Sequence, residues 1–443
     1  MADVMKPTAS GPSEAPPPTG ERPGGGDRAL SDFALDTRTR TLGTVFSDAI
    51  ARIRGGELGS LPAILAIAVL VAVFGYANPN SFLSLLNFAN LLEQASAVIV
   101  IAMAITFVLL LGEIDLAAGF TAGVAAAVLA TRLKEWSLIP SVLLAAGVAV
   151  LLGSFTGFMV ARVGIPSFVV TLANFLLFQG ILLQLVKEGG SVRIDNQIIK
   201  DMVGGSLTPT ESWIFTVVVL ILYAVSLVRR QQASHGAIPM SLVAVKWGGA
   251  ALVGIVVTAL LNRNRALPTA PNPIRGLPVV IPLVLILLTV LTFVLNRTRY
   301  GRHLYAVGGN AEAARRAGIN VTRIRLSAFA LSGLIAGIGG AFLASRVNSV
   351  DANTGANDTL LLAVGAAVIG GTSLFGGQGR IINAVLGGIV LALIPNGLTL
   401  VGRRDLPLLG EINFSSSGTK FICAGLALLL ASSVDALSRK RAA

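Results

Sequence analysis

Long apolar stretches alternate with short polar connections along the chain from about residue 60 onwards. A helix of about twenty apolar residues is long enough to cross the hydrocarbon core of a membrane. A separate helix over 79–92 is expected at the membrane surface. The pattern predicts twelve membrane-spanning helices, at 61–77, 95–111, 116–131, 138–160, 167–186, 212–228, 241–261, 277–295, 326–346, 360–375, 381–401 and 418–437.

The composition agrees with this pattern and predicts an all-α, polytopic integral membrane protein. Of the 443 residues, 54% are hydrophobic and 13% are charged, whereas about a quarter of the residues in a soluble chain are charged. The formal charge of +12 comes from Arg and Lys at the ends of apolar stretches and in the tails. We therefore expect contact with membrane lipid and no nucleic-acid partner.

The chain divides into two tails and one membrane domain. Residues 1–59 are expected to form a cytoplasmic tail, disordered at least to residue 30, because the stretch "GPSEAPPPTGERPGGG" cannot bury enough apolar surface. The membrane domain is predicted over 60–437, and a short cytoplasmic tail over 438–443. The loop 297–325 carries seven arginines against one acid, so the positive-inside rule places it, and with it both termini, in the cytoplasm. Arginines 263, 265 and 275 do not fit this count, since they would lie outside.

The loop 297–325 contains a short segment with the signals of a helix. Asn310 is a favourable N-cap residue, and Glu312 follows where the helix dipole favours an acid. Arg315 and Arg316 occupy the last turn, and Gly318 can adopt the left-handed conformation that ends a helix. A helix this short needs packing partners. It is either a charged loop that fixes topology or a docking element for another protein.

Two carboxylates in "LLGEIDLAAG" are candidates for a pathway through the membrane. Glu113 and Asp115 lie between apolar stretches and beside glycines, which indicates a break between two helices. Such breaks are tolerated where their backbone lines protein or a water-filled cavity. In the alternative, Asp115 caps the third helix and Glu113 faces the outer headgroups.

The stretch "GIPSFVVTLANFLLFQG" begins a helix near Pro166 and places aromatic and polar side chains on one face. Amides can bind hydroxyl groups as donors and as acceptors, and aromatic rings can stack on a sugar. In the alternative, these residues only pack helices together. The candidate pathway residues are Phe168, Thr171, Asn174, Phe175 and Gln179.

A second glycine-rich break, "IGGTSLFGGQGRI", precedes another long helix. Two interrupted segments, one in each half, indicate an internal structural repeat with a pathway between the halves. Thr372 and Ser373 in the break, and Asn396 in the following helix, are further pathway candidates. Three Gly-x-x-x-Gly pairs, beginning at residues 119, 153 and 333, are expected to let helices approach closely.

The sequence lacks the groups that an enzyme or a metalloprotein needs. His235 and His303 are far apart and Cys423 is the single cysteine, so neither a metal site nor a disulfide is expected. No G-x-x-x-x-G-K-[ST] motif occurs, so the chain does not bind nucleotide phosphates in a P-loop. We expect no cofactor and no enzymatic activity of its own.

The stretch "GRHLYAVGGNAEAARRAGINVTRIRLSAFALSGLIAGIGG" resembles the cytoplasmic coupling segment of monosaccharide permeases of ATP-binding-cassette importers, of the ribose and xylose type. The stretches "NLLEQASAVIVIAMAITFVLLLGEIDLAAG", "GIPSFVVTLA" and "AVIGGTSLFGGQGRIINAVLGGIVLALIPNGLTLVG" resemble other parts of these permeases in the same order. The family more often has "GGIDLS", so Glu113 and Ala117 depart from it. An extra helical hairpin over 229–290 resembles the xylose type.

This resemblance implies a permease in a bacterial plasma membrane, most similar to the xylose type. It implies a separate ATPase subunit, an extracytoplasmic sugar-binding protein and a second permease copy as partners. A twelve-helix secondary sugar transporter coupled to an ion gradient is the alternative, and an integral-membrane enzyme a more remote one. The coupling residues that it implies are Gly309, Asn310, Glu312, Ala313, Arg315, Arg316 and Gly318.

Overall fold

The computed structural model describes residues 59–187, 189–233, 239–266, 271–406 and 410–442. Nearly all of the predicted N-terminal tail, together with His235, lies outside the described residues. Helices make up most of the described residues. In chain order the helices before residue 235 are α1 (Leu61–Ala77), α2 (Pro79–Phe82), α3 (Leu85–Leu109), α4 (Ala118–Arg132), α5 (Leu138–Phe158, continued by a π-helical turn at Met159–Val163), α6 (Ser167–Val186), α7 (Gln197–Gly204) and α8 (Pro209–Ala233). Those after it are α9 (Met240–Leu261), α10 (Val280–Arg297), α11 (Arg299–Gly309), α12 (Ala311–Arg316), α13 (Val321–Val347), α14 (Asn357–Ile369), α15 (Ile381–Val401) and α16 (Ser417–Ala442).

Eight of the described helices are long and apolar enough to cross a membrane. The predicted spans at 61–77, 116–131, 360–375 and 418–437 fall on apolar helices in which the described stretch is shorter. Since α4 has 15 residues and α14 has 13, neither could reach across by itself. The count of twelve spans therefore stays a prediction. The eight long helices are α3, α5 with its π-helical turn, α6, α8, α9, α10, α13 and α15.

The predicted surface helix over 79–92 is wrong in its extent. A single turn, α2, is followed at once by α3, which runs without interruption from Leu85 to Leu109. Ser84 starts the long helix by accepting a hydrogen bond from the Asn87 N–H at 3.2 Å. No Gly or Pro follows until residue 112, so nothing stops the helix at the predicted boundary. At the other end of the chain, α16 continues through the predicted boundary at 437 to Ala442.

Helix α13 lies at the centre of the bundle and packs against α3, α4 and α5. The close approach predicted from the Gly-x-x-x-Gly pairs is confirmed where α5 crosses α13. Gly153 and Gly333 face each other there, and a Cβ added to either would come 3.0 Å from the other's Cα. Since no side chain fits between them, the two backbones pack directly.

The connections gather at two ends of the bundle. At one end, the Gly377 N–H donates to the Leu110 carbonyl at 2.9 Å, and the Ile114 N–H donates to Ser167 Oγ at 3.3 Å. We call this the basic end, because the arginine-rich loop 297–325 lies there. The segments that meet at the basic end are 110–114, 164–167, 299–320 and 370–380.

The opposite end carries the short strands. Strand β1 (Ser191–Arg193) pairs antiparallel with β2 (Ser349–Asp351), with Val192 opposite Val350. Strand β3 (Arg403–Leu406) pairs antiparallel with β4 (Gly410–Asn413). The first pair joins two segments far apart in sequence, and it holds the connection after α6 to the connection after α13.

Arg265, an arginine that did not fit the predicted topology, has a structural role at the opposite end. Its guanidinium is buried and donates to the carbonyls of Leu261 at 2.7 Å and Gly276 at 2.6 Å. It also donates to Ser206 Oγ at 2.8 Å. Because Arg265 donates to buried carbonyls, it holds the connection between α9 and α10 in shape. Its charge is therefore weak evidence for the side of the membrane on which this connection lies.

The predicted extra hairpin over 229–290 corresponds to the end of α8, the whole of α9 and the first part of α10. Helices α8 and α9 pair at the edge of the bundle, where the hydroxyls of Thr216 and Thr258 lie 2.6 Å apart in a buried hydrogen bond. Trp247 Nε1 donates to the Leu220 carbonyl at 3.1 Å. These two contacts hold the pair together.

Candidate translocation site

The first predicted break lies between α3 and α4. Gly112 turns the chain with φ +73, and the backbone is not helical again until Ala118. Ile114 is held at both of its peptide groups. Its N–H donates to Ser167 Oγ at 3.3 Å, and its carbonyl accepts from Thr171 Oγ1 at 3.2 Å. Side chains from the beginning of α6 thus satisfy the backbone that a helix would otherwise have paired.

Asp115 lies deep in the bundle. Its Oδ1 accepts from the Ala117 N–H at 3.0 Å and its Oδ2 accepts from Ser332 Oγ at 3.3 Å. Ser332 follows the first residue of α13 by eleven positions, a distance of about 16 Å at about 1.5 Å per residue. The carboxylate also faces the N-terminus of α4, where the helix dipole stabilises an anion. Asp115 therefore lies inside the bundle just before α4, whereas the N-cap position of that helix is Ala117, without a side-chain cap.

Glu113 lies nearer the basic end. Its Oε1 is 3.1 Å from Arg325 Nε, in the first turns of α13. The Arg325 Nε–H makes no hydrogen bond, so the contact is an ion pair only. Glu113 thus lies at the same end of the bundle as the arginine-rich segment. The alternative that it faces outer headgroups stays a prediction, because the side of the membrane on which the basic end lies is itself predicted.

The predicted face of α6 is only partly turned into the bundle. Thr171 and Asn174 are buried, Phe175 and Gln179 are half-buried, and Phe168 is 52% exposed. Phe168 does not share this burial, although Ser167 and Thr171 beside it are buried, so its place in the pathway stays a prediction.

Two contacts fix the buried side of α6. Asn174 Nδ2 donates to Thr156 Oγ1 of α5 at 2.9 Å, which is the interhelical contact that the sequence left open. The rings of Phe175 and Phe120 meet edge to face with centroids 4.7 Å apart. Both contacts hold neighbouring helices around the first break.

The second break, residues 370–380, forms a tight loop that touches the first. The Ser373 N–H donates to the Gln378 carbonyl at 2.9 Å, and Ser373 Oγ accepts from the Phe375 N–H at 3.0 Å. Thr372 Oγ1 is buried and has no hydrogen-bond partner among the described residues. The two breaks, predicted to form one pathway, are therefore close together at the basic end.

Asn396 does not belong to this group. Its Nδ2 donates to Asn87 Oδ1 at 2.9 Å, and its own Oδ1 is buried without a partner among the described residues. It follows the first residue of α15 by fifteen positions, about 22 Å at about 1.5 Å per residue. Asn396 therefore lies towards the opposite end, away from both breaks.

A re-entrant segment, residues 352–356, enters the bundle from the opposite end and was not predicted. Gly355 has φ +79 and precedes α14. A Cβ added to Gly119 would collide with the Gly355 carbonyl, and one added to Gly123 with the Thr354 carbonyl. The N-terminal ends of α4 and α14 therefore meet inside the bundle, each after a non-helical segment. Helix starts inside a membrane bundle are tolerated where their backbone lines protein or a water-filled cavity.

The predicted coupling residues lie on and around α12 at the basic end. Asn310 Oδ1 accepts from the Ala313 N–H at 2.9 Å. Gly318 has φ +83, and the next N–H donates to the Ala314 carbonyl at 3.0 Å, which is the hydrogen bond of a Schellman motif. Ala314 is buried and anchors the helix. The exposed coupling residues are Gly309, Asn310, Glu312, Ala313, Arg315, Arg316 and Gly318.

The exposed face of α12 carries one small charge cluster. Glu312 Oε2 accepts from Arg315 Nη1 at 2.7 Å, and Glu312 Oε1 from Arg316 Nε at 3.3 Å. Exposed pairs of this kind each contribute about 0–1 kcal/mol, so the side chains are free to rearrange against another surface.

Several residues around the breaks were missed by the sequence analysis. Ser167 and Ser332 are small polar residues within apolar helices, and Arg325 was counted only as a topology signal. Two predicted spans precede Glu113 and eight precede the loop 297–325, so the span count puts both on one side and could have suggested the Glu113–Arg325 pair. Within the residues that the structure describes, no group of three His, Cys, Asp or Glu side chains is placed to hold a metal ion.

Comparison with known proteins covers most of the chain. The family described as "Branched-chain amino acid transport system / permease component" matches residues 87–431. The xylose transport system permease protein XylH of Escherichia coli (strain K12) is 33% identical over 384 residues, which is 85% of this chain and 92% of the relative. The Haemophilus influenzae protein of the same name is 32% identical over 388 residues, covering 85% of this chain and 96% of the relative.

Ribose permeases also match. The ribose import permease protein RbsC of Haemophilus influenzae is 28% identical over 343 residues, which is 76% of this chain and 85% of the relative. No solved structure gives a significant match.

Proposed function

The chain belongs to the family of branched-chain amino acid transport system permease components, and from this premise we propose that it forms the membrane pathway of an ATP-driven importer for a monosaccharide. The observation that carries the proposal is the pair of half-length helices, α4 and α14, whose N-terminal ends meet inside the bundle. A sugar offers hydroxyls, which donate and accept, and the backbone groups of the two helix starts together with Asp115 would offer complementary partners. The pathway residues predicted from sequence are part of this proposal.

D-xylose is the sugar that we propose. The chain is 33% identical to a xylose permease over 85% of its length, and 28% identical to a ribose permease over 76%. The additional α8–α9 pair supports the same choice, since the resemblance of that region is to the xylose type.

We propose that a separate ATPase subunit supplies the energy through α12. The sequence has no P-loop of its own. Helix α12 is capped at both ends, anchored by the buried Ala314 and otherwise exposed at the basic end. The exposed charges of Glu312, Arg315 and Arg316 are available for a partner. ATP binding would then favour one access state of the membrane domain over the other.

The proposed arrangement in the membrane places the basic end in the cytoplasm. Eight long helices and four shorter ones would cross a bacterial plasma membrane twelve times, and both termini would lie in the cytoplasm. A second copy of the chain would complete the pathway, and a sugar-binding protein would dock at the opposite end. The four shorter helices would cross with the help of non-helical segments such as 113–117 and 352–356.

Reconstituted vesicles test this function. The chain, its candidate ATPase and its candidate binding protein would be combined with labelled xylose or ribose, with and without ATP. We expect ATP-dependent uptake of xylose in excess of ribose. Uptake that needs no ATPase but collapses with an ionophore would instead support the secondary transporter, and a preference for ribose would overturn the choice of sugar.

The role of α12 has its own test. The double variant Glu312→Arg with Ala313→Trp reverses one charge and adds bulk on the exposed face, while the buried Ala314 is unchanged. We expect normal membrane insertion and loss of ATPase binding in detergent. A matched change on another exposed part of the basic end, Arg302→Glu, should bind normally. Normal binding by the α12 double variant would show that this helix is not the docking element.

A further inference from the structure

Three segments of backbone meet at the basic end without intervening side chains. They are the end of α11 and the two breaks. The Gly377 N–H donates to the Leu110 carbonyl at 2.9 Å, so the breaks are joined directly. Gly308 lies against both, because a Cβ there would collide with the Leu110 carbonyl and come 2.9 Å from the Gly377 nitrogen. We call Gly112, Gly308, Gly376 and Gly377 the glycine junction.

The remaining members of the junction are equally close. A Cβ on Gly376 would come 2.7 Å from the Gly308 carbonyl oxygen and 2.8 Å from the Gly112 nitrogen. Gly376 and Gly377 have φ +84 and +70, a conformation that side chains rarely adopt. Any residue other than glycine would therefore push the three segments apart.

A side chain of α11 adds a specific hydrogen bond. Tyr305 Oη donates to the Gly379 carbonyl at 2.7 Å, which ties the middle of α11 to the second break. Leu304 and Val307 are buried on the same helix, so α11 is a firmly packed element. It leads through Gly309 and Asn310 directly into α12.

We propose that the glycine junction delivers the movement of α12 to both breaks at once, with Gly308 and Tyr305 as its positioning residues. Backbone packed on backbone transmits a displacement with little loss, since no flexible side chain absorbs it. Because the breaks are hydrogen-bonded to each other, a shift of α11 moves them together. The inference rests on the proposed function, since it assumes that an ATPase acts on α12.

The test compares Gly308→Ala with Gly248→Ala in reconstituted vesicles. A Cβ on Gly248 in α9 meets nothing within 4 Å, so this control adds the same methyl group without a contact. We expect Gly308→Ala to bind the ATPase but to lower the xylose taken up per ATP hydrolysed by about tenfold, equivalent to about 1.4 kcal/mol. The control should match the wild type. Wild-type coupling in Gly308→Ala would overturn the inference.

Two further measurements separate the possible failures. If the wild type itself shows no ATP-driven uptake, the proposed function fails and the junction is not at fault. If Gly308→Ala does not fold, Tyr305→Phe decides, because it removes only the hydroxyl that binds the Gly379 carbonyl. We expect normal ATPase binding and a several-fold lower uptake per ATP in Tyr305→Phe, and unchanged coupling in this variant would overturn the inference.

Discussion

The packing of the re-entrant segment against α4 gives a sharp prediction for Gly123→Ala. A Cβ at this position would lie on the Thr354 carbonyl oxygen, well inside the 3.0 Å that real Cβ atoms keep from their neighbours. It would also come 3.1 Å from a methyl group of Leu182. The re-entrant segment would have to move away from α4, because the Leu182 side chain on the other side of the new methyl group is itself fully buried.

The expected cost follows from two opposing terms. Overpacking a dense interior costs about 1–3 kcal/mol, whereas Ala in place of Gly within a helix gains about 0.8–1 kcal/mol. The collision is with backbone, which cannot rotate aside as a side chain can, so we expect the upper part of the first range. The free energy of unfolding should therefore fall by about 1–2 kcal/mol.

Thermal unfolding in detergent, compared with Gly147→Ala, measures the difference. Gly147 lies on the exposed side of α5 and a Cβ there meets nothing within 4 Å, so only the helix-propensity gain applies. We expect Gly123→Ala to melt below the wild type and Gly147→Ala at or above it. Equal melting temperatures for the two variants would show that 352–356 does not pack against α4.

Substitutions at three other contacts test the structure further. Asp115→Ala leaves the Ala117 N–H without its acceptor and should cost about 1–3 kcal/mol; Asp115→Asn keeps that acceptor and should cost less, measured by chemical denaturation. Arg325→Ala alone leaves the largely buried Glu113 carboxylate unpaired and should lower the free energy of unfolding. Adding Glu113→Gln removes that charge, so the second substitution should recover part of the loss. A double-mutant cycle that shows no coupling would refute the ion pair. Arg265→Met should expose the connection between α9 and α10 to protease, since the Gly276 carbonyl and Ser206 Oγ lose the guanidinium as a donor. Proteolysis at the wild-type rate would contradict this role.

Much of the secondary structure follows from the sequence because long apolar stretches allow few alternatives. The 61–77, 167–186 and 381–401 helices have the predicted bounds. The cap signals at Asn310 and Gly318 also predict α12 correctly, since each acts within one turn. Local rules of this kind need no knowledge of the surrounding fold.

Other features depend on partners that are distant in sequence. Nothing within "SVDANTGAND" distinguishes a re-entrant segment from an exposed loop, because its position is fixed by packing against Gly119 and Gly123 of α4. The exposure of Phe168 likewise depends on which side of α6 the neighbouring helices cover. The pairing of Glu113 with Arg325 joins positions more than two hundred residues apart.

The short apolar stretches nevertheless contain a signal for the site. Helix α4, with 15 residues, spans about 22 Å at about 1.5 Å per residue, less than the roughly 30 Å of a hydrocarbon core. The missing distance has to be covered by non-helical backbone, whose unpaired groups cost several kcal/mol each in lipid. Such backbone is stable only where protein or a polar ligand satisfies it, as Ser167 and Thr171 do for Ile114. A short apolar stretch beside a glycine and an acid therefore indicates where a membrane protein interrupts a helix and needs polar partners for the backbone, and α4 and α14 place two such interruptions against each other.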